Sequence, residues 1–177
     1  MPEAPRRIVL VGFMGVGKST IGRMLARGLG WAFEDMDARI EARAGRSIAA
    51  IFREQGEEAF RALEREEARA IGSLTRCVIA AGGGAFAQPE TRAILQQGAL
   101  TVWLRASLET ILGRVRPDDA RPLAANRGIM PALLAEREPS YRMANVAVDA
   151  GGAPAEVADR VLALVRGRTG TATSARQ

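Results

Sequence analysis

The sequence predicts an α/β fold built on a parallel sheet, and three observations carry the prediction. Short apolar runs alternate with longer amphipathic segments along the chain. The first run, "RIVLV" at Arg7–Val11, is almost continuously apolar, as a strand covered on both faces must be. A glycine-rich turn then leads directly into a segment with helical spacing. At 177 residues the chain has the length of one domain. Neither an internal repeat nor an inter-domain linker interrupts it.

The elements follow in order. After the turn, Ile21, Met24, Leu25 and Leu29 recur at helical spacing, and Gly30 is a stop signal. "WAFEDMD" predicts a short strand ending in two carboxylates, Asp35 and Asp37. "ARIEARAG" and "SIAAIFREQG" predict two short helices, the second with Ser47 as its cap. "EEAFRALEREEARAIGSL" is a longer charged helix, and "CVIAAGGG" a strand that runs into three glycines. "PETRAILQQG" has proline first and glycine last, the asymmetry of a helix. "ALTVWLRA" is a strand and "SLETILGRVR" a helix. "PDDARPLAANRG" is polar and proline-containing, the composition of a mobile loop. "IMPALLAEREPSYRMA" is helical with proline breaks, "NVAVDA" a last strand and "APAEVADRVLALVRG" a last helix. The small polar residues 168–177 predict a disordered tail after a domain spanning 1–167.

Composition closes off several functions. The chain has no histidine, which removes histidine acid–base catalysis, histidine metal ligation and a Ser-His-Asp triad together. Its single cysteine, Cys77, allows no internal disulfide and suits a reducing cytoplasm. No run of about 18 apolar residues is present, so no membrane span is expected. The start, "MPEAPRRIVLVGFM", superficially resembles a signal peptide, but its apolar run is short and a buried strand explains it better. A net charge of +5 suits an anionic partner. The arginines are scattered and aromatics make up only 5%, so anionic small molecules fit better than nucleic acid.

One position stands apart. Lys18 is the only lysine among 25 Lys and Arg residues. It lies in "GFMGVGKS", Gly12–Ser19, which matches G-x-x-x-x-G-K-[ST], the P-loop pattern, between a predicted strand and a predicted helix. Gly12, Gly15 and Gly17 let the backbone bend so that successive N–H groups, Val16 among them, face phosphate oxygens. The helix that begins near Lys18 adds the positive end of its dipole there, over Ser19 and Thr20. Lys18 would reach the β- and γ-phosphates of ATP, and the Ser19 hydroxyl would bind Mg²⁺. An ammonium is compact enough to sit inside such a turn, whereas a guanidinium is a wide, flat fork.

A phosphate donor needs an acceptor, and several groups could hold one. If the chain is still extended at Asp35 and Asp37, both carboxylates point to the same side of the sheet, at the end where ligands bind. One would then sit near Mg²⁺, and the other would orient a hydroxyl and take its proton. The alternative is that one or both merely cap the helix "ARIEARAG" that follows. Arg61 has Glu57 and Glu58 four and three residues before it, the spacing of an ordinary helix-surface ion pair. Arg137 in "EREPSY" is open in the same way. Gly82, Gly83 and Gly84 are either a flexible loop or three unhindered N–H groups facing an anion. Arg121 in the polar loop either closes over phosphates or is solvated.

Taken together these segments resemble the shikimate kinase family. The matching stretches are "GFMGVGKSTIGRMLA", "FEDMDARIEARAGRSIAAIFREQGEEAFRALE", "VIAAGGGAF", "RPL" and "EREPSYRMA", in order from about Arg7 to Leu164. The P-loop is common to very many proteins, and the run from Asp35 to Glu64 is the specific part. The resemblance implies a P-loop NTPase fold with a five-stranded parallel sheet flanked by helices. It also implies a substrate-binding region near residues 35–62 and a mobile lid near 114–126. It implies transfer of the ATP γ-phosphate to the 3-hydroxyl of shikimate, by a monomer with small-molecule partners. Carried over residue by residue, Gly15–Thr20 hold the nucleotide phosphates, with Ser19 and Asp35 at the metal. Asp37 binds the acceptor hydroxyl as base, and Arg61 and Arg137 contact the shikimate carboxylate. Gly83, between Gly82 and Gly84, is a further substrate contact, and Arg121 is the lid arginine on ATP. Arg114 and the stretch at Ala153 and Pro154 are the candidates for adenine. Two departures touch lid packing: Ala124 follows "RPL" where a second leucine is usual, and Ser140 stands where leucine is common.

Other readings remain open on sequence grounds. They are a sugar or polyol kinase on the same scaffold, a related nucleotide-binding protein without catalysis, and a basic nucleic-acid-binding module.

Overall fold

The computed structural model describes residues 5–115 and 126–173. Among them five strands form one sheet: β1 (Arg7–Val11), β2 (Ala32–Asp35), β3 (Cys77–Ala80), β4 (Ala99–Arg105) and β5 (Val146–Asp149). Their order is β2-β3-β1-β4-β5, and every adjacent pair is parallel. The α-helices are α1 (Lys18–Leu29), α2 (Met36–Ala44), α3 (Ile48–Ile71), α4 (Pro89–Gln96), α5 (Leu108–Arg114), α6 (Met130–Tyr141) and α7 (Pro154–Thr173). None of them is long and apolar enough to cross a membrane.

β1 is the middle strand and all five of its residues are buried. Its side chains still alternate between two cores, because successive residues in a strand face opposite ways. Val9 and Val11 join Ile79, Ile71, Leu95 and Tyr141 on the face covered by α3, α4 and α6. Ile8 and Leu10 join Ile21, Leu25, Val157 and Val161 on the face covered by α1 and α7. A third, small core of Ile40, Ile48, Ile51 and Phe60 holds α2 against α3. This lobe overhangs the carboxyl end of the sheet, where a parallel α/β fold binds its ligands.

The assigned helix α3 is two helices meeting at Gly56, whose φ of 83° and ψ of 174° are not helical. A side chain there would meet no neighbour, so the left-handed backbone is what glycine permits. The break falls where the sequence separates "SIAAIFREQG" from "EEAFRALE". Ser47 caps the first half, accepting from the Ala50 N–H at 3.1 Å. The second half is tied to the strand end and α2 by charge. Arg39 donates to Glu34 at 3.0 Å and also to the buried Glu67.

Three expectations change. The second strand ends at Asp35, not Asp37, and helix α2 starts at Met36. Pro139 lies inside α6 and does not break it; the helix continues to Tyr141. The tail expected to be disordered from 168 is helical to Thr173, and 174–177 lie outside the described residues. So do residues 116–125, and with them most of the expected lid, Arg121 and Ala124.

Candidate active site

The loop between β1 and α1 encloses the lysine. Gly12 has φ of 146°, and a Cβ there would lie 2.6 Å from the Leu104 carbonyl oxygen, so the turn packs backbone against backbone. Lys18 is buried and its Nζ donates to the Gly12 carbonyl at 2.8 Å and the Phe13 carbonyl at 3.0 Å. Inside the loop there is room for three N–H donors on one small nitrogen. Gly17 is the N-cap of α1 and has no side chain to spend on capping, which leaves the first helical N–H groups directed at a ligand.

A crevice of about 960 Å³ opens in front of this loop, lined by Gly15, Val16, Gly17, Lys18, Ser19 and Thr20 on one side. Arg114, Gly152 and Pro154 line the other. Arg114 is fixed by four backbone carbonyls. Its Nη1 donates to Val16 at 3.1 Å and Ala150 at 2.9 Å, and its Nη2 to Gly151 at 3.3 Å and Gly152 at 3.2 Å. These bonds occupy the edge of the guanidinium, and its flat face is what it can offer a planar ring.

Ser19 and Asp35 meet at the inner end of the crevice. The Ser19 hydroxyl donates to Asp35 Oδ2 at 2.5 Å, while Asp35 Oδ1 accepts from the Ala38 N–H at 3.2 Å. Asp35 is therefore the N-cap of α2, and Asp37 sits in the first helical turn. The two carboxylates do not share a strand face as an extended chain would require. They reach adjacent sites because the helix turns Asp37 toward a second pocket.

That pocket, of about 480 Å³, is lined by Met14, Asp37, Ile48, Phe52, Phe60, Arg61, Glu64, Gly83, Gly84 and Arg137. Its floor is the turn after β3. A Cβ on Gly82 would lie 2.8 Å from Asp37 Oδ1 and 2.9 Å from Glu64 Oε1. One on Gly84 would lie 2.6 Å from Arg61 Nη1 and 3.0 Å from Arg137 Nη2. Two guanidiniums from distant parts of the chain thus converge on Gly84, and two carboxylates converge on Gly82 at the start of the same turn. The P-loop is next door, since the Gly83 position is 3.5 Å from the Met14 nitrogen and 3.9 Å from the Gly12 carbonyl oxygen. Parallel pairing of β1 with β3 creates this adjacency.

The surface ion pair expected of Arg61 exists but is only half of its environment. Arg61 donates to Glu57 at 3.0 Å and to Glu64 at 2.5 Å. Glu57 is exposed, while Arg61 and Glu64 are buried. Glu58 is not its partner in these bonds. Burial works against the charged form of Arg61, but Glu64 and Glu57 outweigh it and hold the guanidinium above its usual range. Glu64 is pushed up, first by burial. Arg61 pulls it back, Asp37 raises it further, and Arg137 lowers it. The acceptor pocket is thus one electrostatic unit.

Glu64 is the site residue that sequence reasoning missed. On a charged helix it resembles a solvated glutamate. The signal was its place in a stripe with Phe60, Ala68 and Ile71, where an apolar residue is otherwise expected. Arg137 is held differently, 5.8 Å above the Phe13 ring and one turn before Tyr141.

Comparisons with known proteins agree on the family. The family model described as Shikimate kinase matches residues 14–166. A shikimate kinase of Geobacter sulfurreducens is 45% identical over 159 residues, covering 88% of each chain. One of Caulobacter vibrioides is 45% identical over 160 residues, covering 89% of this chain and 80% of its own. Among solved structures, shikimate kinase from Acinetobacter baumannii in complex with shikimate superposes with a TM-score of 0.89 at 36% identity. That alignment covers 94% of this chain and 96% of the other. A gluconokinase from Sinorhizobium meliloti, at 18% identity and a TM-score of 0.63, shares the fold. The chain belongs to the shikimate kinase family.

Proposed function

We propose that the two pockets divide the family's reaction between them. As a member of that family the chain is an ATP-dependent kinase of the shikimate pathway. ATP lies in the P-loop crevice with its phosphates on the backbone N–H groups of Gly15–Thr20, its γ-phosphate at Lys18 and its base against Arg114 and Pro154. Shikimate lies in the neighbouring pocket, with its carboxylate on Arg61 and Arg137 and its 3-hydroxyl at Asp37. Asp37 takes the hydroxyl proton, the freed oxygen attacks the γ-phosphorus in line, and ADP leaves.

One observation carries this reading: Arg61 and Arg137 converge on Gly84 in a buried pocket that also holds Asp37. Two guanidiniums so close need an anion with two oxygens, and a carboxylate supplies it bidentately. A neutral polyol offers the two forks no such bidentate partner.

Ser19 and, through water, Asp35 fit Mg²⁺, which takes few protein ligands and completes its shell with phosphate oxygens and water. When bound it would offset the negative charge of the nucleotide's phosphates. The described residues contain no cluster of three metal-ligating His, Cys, Asp or Glu side chains, so the metal would arrive with the nucleotide. We place the enzyme in the cytoplasm, where ATP is supplied and Cys77 stays reduced, acting as a monomer because one chain lines both pockets. Coupled ADP release is the test. It should depend on shikimate and fall to background with gluconate or without acceptor; equal rates with gluconate would overturn the assignment.

A further inference from the structure

Behind the acceptor pocket stands a residue that does not line it. Tyr141 ends helix α6, is fully buried, and is the only tyrosine in the chain. Its ring packs in the main core, with the Trp103 ring 6.1 Å away and tilted by 33°. Its hydroxyl donates to the carbonyl of Gly83 at 2.5 Å. Arg137 lies four residues earlier on the same helix, so it shares a face with Tyr141, and its guanidinium acts on the phenol from close by.

The phenol oxygen therefore holds two things at once. Its O–H donates to the turn that floors the pocket, and the guanidinium of the arginine that crosses the pocket lies beside it. Phe13 bounds the guanidinium from a second side, at 5.8 Å from its ring centre. The Gly83–Gly84 backbone bounds it from a third, with Cβ positions 3.5 and 3.0 Å from its two terminal nitrogens. Arg61 is held by two carboxylates, whereas Arg137 makes no ion pair among the described residues and is positioned by its helix, the Phe13 ring and the Gly83–Gly84 turn.

We propose that Tyr141 is a positioning residue for the acceptor: its hydroxyl locks the Arg137 guanidinium and the Gly83 carbonyl into one rigid frame for the substrate carboxylate. The proposal rests on the reading of Arg137 given above. Its physical content is preorganisation. A long arginine side chain loses rotamer entropy when it grips a ligand, and a fixed arginine has already lost it. Removing the hydroxyl leaves a buried carbonyl without its donor and lets the guanidinium wander, so binding of the acid weakens and nucleotide binding does not.

The test is a double-mutant cycle of Tyr141→Phe and Arg137→Ala in the full chain, read by shikimate KM, kcat, ATP Kd and melting temperature. The hydroxyl alone should be worth about five- to twentyfold in shikimate KM, with ATP Kd unchanged. In the Arg137→Ala background, adding Tyr141→Phe should change shikimate KM no further. A tyrosine that only fills the core would lower the melting temperature and leave shikimate KM alone, and that result overturns the proposal. So does an equal loss with and without Arg137. If Arg137→Ala itself leaves shikimate KM unchanged, the carboxylate reading falls and takes the proposal with it.

Because Tyr141 is the sole tyrosine, 3-fluorotyrosine incorporation places one fluorine nucleus beside the hydroxyl. Its resonance should move when shikimate is added to the parent chain. It should stay fixed when shikimate is added at saturation to Arg137→Ala. A resonance indifferent to shikimate in the parent chain contradicts the coupling.

Discussion

The P-loop crevice and the acceptor pocket lie side by side but are built on opposite plans. The phosphate-facing side of the crevice is one continuous stretch of chain, Gly15–Thr20, whose ligand-facing groups are backbone N–H groups and one ammonium tucked between two carbonyls. The pocket is assembled from the P-loop, α2, both halves of α3, the turn after β3, and α6, and its ligand-facing groups are side chains. In the first the arrangement depends on shape; in the second it depends on the balance of charge among Asp37, Arg61, Glu64 and Arg137. A substitution that keeps charge and changes shape should hurt the first, and one that keeps shape and removes charge should hurt the second.

The largest effect expected is Asp37→Asn, which keeps shape and removes the proton acceptor. Turnover should fall by about 10²–10⁴-fold while ATP Kd stays at the parent value, as measured by coupled ADP release and calorimetry. Parent-like turnover would move the base elsewhere. Lys18→Arg is the converse substitution. Charge is kept, but the fork does not fit between the Gly12 and Phe13 carbonyls. A loss of at least about tenfold in turnover is expected, or some 1.4 kcal/mol in barrier, without unfolding by circular dichroism.

Glu64 offers a graded test of charge balance. Glu64→Ala frees Arg61 on its buried side and should raise shikimate KM about tenfold. Glu64→Gln, which keeps an oxygen toward Arg61, should raise it less. Equal effects would mean that packing, not the arginine, responds.

The smallest effect is on alkaline stability. The Tyr141 phenol is pushed up to about 12, mainly by burial and against the pull of the Arg137 charge and hydrogen bond. From pH 10, the ordinary phenol value, to about 12 the unfolded chain loses this proton and the folded chain keeps it. Fewer protons bound in the unfolded state means that stability falls as pH rises. The fall should reach about 2–3 kcal/mol across that window and be missing from Tyr141→Phe, as read from urea midpoints. Parallel curves for the two proteins would show that the phenol ionises as freely as in water.

The same contrast explains what could be read from sequence. Gly12–Ser19 was legible because a backbone cradle needs its glycines and lysine at fixed spacing within one turn. The alternation of elements was legible because the buried strand β1 and the helix faces each keep their own periodicity. Asp35 and Asp37 were misplaced relative to each other because a helix begins one residue after Asp35, and local pattern does not show which of two nearby aspartates takes the cap. Glu64 was missed despite its place in the apolar stripe, because its role depends on Arg61, Asp37 and a turn after another strand. The last helix runs through Gly167 and Gly170 because extending an existing helix costs far less than starting one.

The central claim is that Arg61 and Arg137 together hold the acceptor's carboxylate while the P-loop holds ATP independently. Calorimetric titration of shikimate and of ATP into the parent, Arg61→Ala and Arg137→Ala chains tests it most directly. Each substitution should weaken shikimate binding by about 10- to 150-fold and leave ATP Kd within about twofold of the parent. Shikimate affinity unchanged in both variants, or ATP affinity falling in parallel with it, would contradict the account.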